Sequence, residues 1–298
     1  MPSRAKDRST GVTLRTVFAL ALFAIAAGCS SVRVGYNNAD TLLLYTLDNY
    51  LDLNRSQQQL ARDRFRVLLA WHRSTQLHGY ADLIEAAGKR IDGRVAADEV
   101  LALNLEMNRR LVAVGEQAAP DVAALALTLQ PAQLDRFARK LAEDNTKTRR
   151  EEAGRKRSFE HRTKRGIERA EEWFGSVSPR QEELIRNALA ERPDSEDWWI
   201  HERELRRSDL LALLRRIHAE QPAVDEAARW MREYFAVLTE PRDPERRARM
   251  HEFRRGNAEL IATLVNTASP EQKATLLKKL HGYAEDFTAL ASVTNNRS

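Results

Sequence analysis

A single cysteine, Cys29, occurs in 298 residues. One thiol cannot close an intrachain disulfide, so no covalent cross-link holds this fold. Glycine and proline are scarce as well, at 12 and 9. There is no sustained alternation of β-branched residues and no Asn-Gly or Asp-Gly hairpin, which excludes a sheet protein. Seven histidines are present, yet none falls in His-Glu-x-x-His and no two stand three or four apart. That removes the helical zinc pattern. Gly-x-Ser-x-Gly and phosphate-loop motifs are missing too. These gaps argue for a non-enzymatic protein with no metal, no cofactor and no evident small-molecule substrate.

A strong excess of one charge is also lacking. The formal charge is +5, and the 28 residues before Cys29 hold four basic residues and one acidic one. The remainder is therefore close to +2, which gives no case for nucleic acid.

The uncharged apolar run from Val17 to Ala27 has 11 residues. A spanning helix needs about 20. Upstream lie Arg4, Lys6, Arg8 and Arg15; downstream comes Ala26-Ala27-Gly28-Cys29-Ser30. A basic head, a short apolar core and small residues at the cut make an export signal. The cysteine directly after them resembles a bacterial lipoprotein signal, although Ala26 stands where such signals usually carry Leu. The resemblance implies cleavage before Cys29 and acylation of that residue. Ser30, in place of Asp, favours the outer membrane, facing the periplasm. A signal anchor, or a cleaved signal with an incidental cysteine, are the alternatives. The expected organisation is a signal peptide over 1–28, an anchored linker over 29–38 and a helical domain over 39–291. A subdivision near 175 and a disordered tail over 292–298 complete it.

Helical spacing runs through the rest of the chain. Leu60, Arg64, Val67, Leu68 and Trp71 follow a helical three-four rhythm, as do Leu101, Leu105, Met107, Leu111 and Val114. The periodicity predicts helices near 39–53, 56–90, 97–127, 131–174, 179–191, 195–219, 222–238, 244–267 and 270–291. The fold class is all-α: an elongated bundle of antiparallel helical hairpins with one long charged helix.

Three helix starts repeat one pattern: Pro131-Ala132-Gln133, Pro179-Arg180-Gln181 and Pro270-Glu271-Gln272. Apolar residues stand four and eight places beyond each glutamine. Ser178 and Ser269 occupy the cap position, proline the first helical position, and Gln181 and Gln272 the place that reaches back to the cap. The first copy has Gln130 at the cap instead. Prolines 131, 179, 222 and 270 are 48, 43 and 48 residues apart, as hairpins of common length would be. The two serine caps lie far apart in sequence, so their replacement effects are expected to add.

These starts resemble the Leu-Thr-x-x-Gln motif of periplasmic chaperones of the Spy and CpxP type, which are helical and bind unfolded clients. The wider chain resembles the domain-of-unknown-function family 6279 of proteobacterial lipoproteins. The residues that carry this are Val32-Arg33-Val34-Gly35-Tyr36-Asn37-Asn38-Ala39-Asp40, Leu69-Ala70-Trp71-His72-Arg73, Leu141-Ala142-Glu143-Asp144-Asn145 and Trp173-Phe174-Gly175. That resemblance implies localisation and a helical fold, but no activity.

Between 145 and 170 stand ten Lys or Arg and four Asp or Glu. Arg150, Arg157 and Lys164 are seven apart, which aligns them on one face of an unbroken helix. The stripe suits anionic lipid or acidic polymers; a solvated face gives the same pattern. Asp48 and Asp52, one turn apart beside Arg55, suit capping or packing, and also a cation. Trp198 and Trp199 point about 100° apart on a helix, so one is expected to pack. The functional expectation is an outer-membrane-anchored periplasmic lipoprotein that binds other envelope proteins, with a chaperone-like role within that reading. The rival is an assembly subunit with one fixed partner.

Overall fold

The computed structural model describes residues 30–155, 159–192 and 195–292. Among them stand twelve helices and no strand. They are α1 (Ser30–Asn37), α2 (Ala39–Leu51), α3 (Arg55–Thr75), α4 (Leu77–Gly88), α5 (Ala97–Ala126) and α6 (Pro131–Arg155). The others are α7 (Phe159–Phe174), α8 (Pro179–Ala190), α9 (Ser195–Glu220), α10 (Val224–Thr239), α11 (Pro244–Asn266) and α12 (Pro270–Ser292).

The bundle is built around α5, whose 30 residues make a rod of about 45 Å. It packs along α10 and α11, while α4 packs along α12. Small residues allow the close pairing of α5 with α10. Ala119, Ala123, Ala227 and Ala228 are fully buried there, and a Cβ on Gly115 would sit 2.7 Å from the Phe235 Cβ. Interhelical separation follows the side chains at the contact.

Three apolar cores result. The first joins Leu51, Leu134, Phe137, Leu141, Ile217, Trp230 and Met231 from α2, α6, α9 and α10. The second joins Phe174, Ile185, Val265 and Leu276 from α7, α8, α11 and α12. The third is smaller: Leu77, Tyr80 and Leu290, with Val32 and Tyr36 of α1 against them. Helices from both sides of residue 175 share the first core.

One long helix expected from periodicity is divided. Over 56–90 the chain forms α3 and α4, which meet at Gln76. Ser74 and Thr75 donate their hydroxyls to the Trp71 carbonyl at 3.1 and 2.7 Å. Such back-bonding bends helices. Of the helix expected over 131–174, α6 is described to Arg155 and α7 from Phe159, and residues 156–158 lie outside the described residues. Residues 30–37, expected as linker, form α1 and pack on α12. No helix among the described residues is long and apolar enough to cross a membrane.

Candidate functional site

Gln133, Gln181 and Gln272 all reach back to their caps. Their Oε1 atoms accept from the backbone N–H of Gln130, Ser178 and Ser269 at 3.0, 2.9 and 2.9 Å. Ser178 and Ser269 in turn accept from the N–H of Gln181 and Gln272 at 3.3 and 3.2 Å. A fourth start shares the device without proline: Asn54 and Gln57 cap each other at 3.0 Å in both directions. The sequence signal was Asn-x-x-Gln, which a search anchored on proline passes over.

The four glutamines lock in pairs. Gln57 and Gln133 exchange amide bonds at 3.1 and 2.8 Å. Gln181 and Gln272 do the same at 3.2 and 2.9 Å. Spare N–H groups run to the carbonyl two residues before the partner's cap. Gln57 donates to Thr128, Gln133 to Asp52 and Gln272 to Ser176, at 2.9, 3.1 and 2.7 Å. The two serine caps, distant in sequence, therefore meet through their glutamines, and the expectation that they act independently is corrected.

The remaining sequence candidates do not converge on one place. Cys29 and Arg157 lie outside the described residues. Arg150 is exposed near the end of α6, and Lys164 stands on α7, 3.8 Å from Glu168. Asp48 serves as a cap, accepting from the Leu53 N–H and from Gln58 at 2.9 and 3.2 Å. Asp52 ends α2 in the left-handed conformation. Asp144 accepts from the Tyr50 hydroxyl and Asn145 from Arg207, which ties α6 to α2 and α9. The hydrogen bond to Asp144 raises the Tyr50 pKa.

The candidate site is a cleft of about 580 Å³ walled by α5, α9, α10 and α11. Leu111, Val112 and Gly115 form its α5 wall, Phe235 and Leu238 its α10 wall, and Met250, Phe253 and Ile261 its α11 wall. Leu111 and Ile261 stay 55% and 48% exposed at the rim. Stable monomers keep few such groups together without a use for them. At one end Trp198, Trp199 and Phe253 stack edge to face, with Trp199 5.1 Å from Phe253. Both tryptophans are half-buried.

Behind that end lies an ionic triad. Glu202 is 1% exposed and accepts from Arg206 at 2.9 Å and from Arg246 at 2.9 and 3.0 Å. Burial alone would raise the Glu202 carboxyl; the bonds from Arg246 and Arg206 outweigh it and hold the pKa below its ordinary value. The arrangement braces α9 against α11. Among the described residues no group of three His, Cys, Asp or Glu is placed to hold a metal.

Fold and site together define an all-α bundle with glutamine-locked helix starts and an apolar four-helix cleft. Residues 49–233 match a family described as a family of unknown function, DUF6279. The chain belongs to that family. The Val32–Asp40 segment precedes the match, and the likeness to Spy and CpxP-type chaperones rests on the helix starts alone. No curated protein and no solved structure matches the chain.

Proposed function

We propose that this protein is a lipoprotein of the outer membrane, facing the periplasm, and that it binds apolar segments of other envelope proteins without catalysis. The observation that carries the binding role is the cleft between α5, α9, α10 and α11. It is concave, lined by several helices and mostly apolar, the shape that suits an extended or helical apolar segment. Trp199 Nε1 and Arg206 Nη2 lie in its wall with no acceptor among the described residues. A main-chain carbonyl of a bound segment, reached after a small shift of the wall, would relieve a cost of about 1–3 kcal/mol for each unpaired donor. The sequence around Cys29 supports the anchor. Chaperone-like service to many clients and assembly with one fixed partner both use this cleft.

Two measurements test the proposal. Palmitate should label the wild-type chain, while Cys29→Ala should remain unlabelled and accumulate as precursor. Equal labelling of both would overturn the anchor. A photocrosslinker in place of Leu111 should capture envelope proteins in whole cells, and one in place of Glu143 should not. Equal capture at both positions would overturn the cleft as the binding face.

A further inference from the structure

Four of the ten large apolar side chains left exposed among the described residues fall in one short window. They are Val34, Leu42, Leu43 and Tyr45, with Tyr45 73% exposed. No exposed residue between Val34 and Asn49 is charged, and the exposed Arg33 just before them is paired with Asp286. From Val34 to Asn49 the exposed residues are Val, Gly, Asn, Thr, Leu and Tyr; Asp40 and Asp48 are the sole charges there, and both are half-buried. In a chain that is 31% charged, such a face is unlike ordinary solvated helix surface.

The segment is also held rigidly. Arg33 of α1 pairs at 2.6 Å with Asp286 of α12, whose side chain is 0% exposed. The Tyr36 hydroxyl meets His72 Nδ1 at 2.8 Å, and burial pushes the Tyr36 pKa up to about 12. Arg73 bonds Asn37 at 3.1 Å and the Leu290 carbonyl at 3.0 Å. These are the Val32–Asp40 and Leu69–Arg73 motifs, brought together to dock α1. The described helix α1 includes Ser30, the residue that follows Cys29 in the sequence, so the docked body lies within one residue of the expected acylation position. Tyr45 follows Ser30 by 15 residues across α1 and α2, at most about 22 Å at 1.5 Å per helical residue.

We infer that the neutral face of α1 and α2 lies on the lipid bilayer, with Val34, Leu42, Leu43 and Tyr45 at the headgroup–acyl boundary. The inference rests on acylation of Cys29, and it deepens that reading: the anchor does not merely tether the protein but fixes its orientation. An amphipathic helix in the interface plane sinks its apolar side about 5–10 Å, and tyrosine suits that depth because its ring is apolar and its hydroxyl polar. A bilayer is favoured over a second copy because the chain enters this face from its acylated end.

The native sequence suits the experiment, since Cys29 is its one cysteine and acylation blocks it. Leu42→Cys and Tyr45→Cys, with Val224→Cys on α10 as reference, each give one thiol for a nitroxide label. All three positions are exposed, so melts should match wild type. The acylated proteins are placed in phosphatidylethanolamine–phosphatidylglycerol vesicles, and label collisions with oxygen and with an aqueous nickel chelate are compared. The expected result at 42 and 45 is a several-fold loss of nickel access and a gain in oxygen access relative to 224. Loss of access to both reagents would mean a second protein copy covers the face and would overturn the inference. Access equal to 224 on palmitoylated, vesicle-bound protein would overturn it while leaving the anchor standing. Absence of palmitate on wild type would overturn both.

Discussion

Gln181 and Gln272 stand 91 residues apart in sequence, yet each donates its Nε2 to the other's Oε1, at 3.2 and 2.9 Å. Both are buried, at 2% and 6% exposure. Each Oε1 also accepts from its own cap's backbone N–H, so one amide closes a helix end and joins that end to another. Gln272→Ala strips partners from Gln181, the Ser269 N–H and the Ser176 carbonyl. It should destabilise by about 3 kcal/mol, since each buried orphan costs about 1–3 kcal/mol. The double change with Gln181→Ala should lose at least about 1 kcal/mol less than the sum of the singles. Urea melts of the three variants decide this; strict additivity would contradict the pairing.

Ser178→Ala and Ser269→Ala should each lose about 1 kcal/mol as lost caps. The glutamine bridge couples them, so the double change should depart from additivity by more than the few tenths of a kcal/mol seen for independent sites. Thermal melts read the difference.

Glu202→Gln leaves Arg206 and Arg246 without their carboxylate. The arginines are 23% and 28% exposed, so the loss should fall near the low end of the range for breaking a buried pair, about 3 kcal/mol. The Glu202 pKa is lowered on folding. Its stabilisation is thus fully present above its unfolded pKa and is lost as pH falls through the folded value. Wild type should lose stability on acidification below about pH 4.5 more steeply than Glu202→Gln. Parallel slopes in pH-dependent melts would contradict the triad.

Arg33→Ala leaves the Asp286 carboxylate buried with no ion pair among the described residues. It should cost about 2–3 kcal/mol and remove hydrogen-exchange protection from α1 first. Pairing Arg33→Ala with Asp286→Asn should recover part of the loss, because a neutral amide is cheaper to bury unpaired. Unchanged protection across Ser30–Asn37 in Arg33→Ala would contradict the docking.

The helical class was legible because apolar residues recur in threes and fours, and three starts were legible because Ser-Pro-x-Gln and Gln-Pro-x-Gln satisfy local backbone groups. Trp173-Phe174-Gly175 was visible as a motif, and its reason is geometric. Phe174 is buried, and Gly175, at φ +80, ends α7 in a conformation that side chains resist. The glutamine pairing was not legible, since it joins positions 76 and 91 residues apart and a local pattern holds no pairing information. The cleft escaped for the same cause. Leu111 and Ile261 each read as ordinary members of amphipathic helices, and only the packing of α5 against α11 sets both at one rim. The break at Gln76 hid because Ser74 and Thr75 fit a helix by spacing while their hydroxyls bend it.

Binding at the cleft is the central claim, and equilibrium titration tests it most directly. A fluorescently labelled, permanently unfolded apolar polypeptide is titrated with the acylated protein in detergent, using wild type, Leu111→Asp and Ile261→Asp. Both positions are exposed, so the folded state should survive, as melts will verify. A carboxylate at the rim of an apolar site must lose hydration when a segment docks, a penalty of at least about 1–3 kcal/mol. The expected result is saturable binding to wild type, weakened by roughly tenfold or more in each variant. Binding of equal strength to all three proteins, or none to wild type, would contradict the claim.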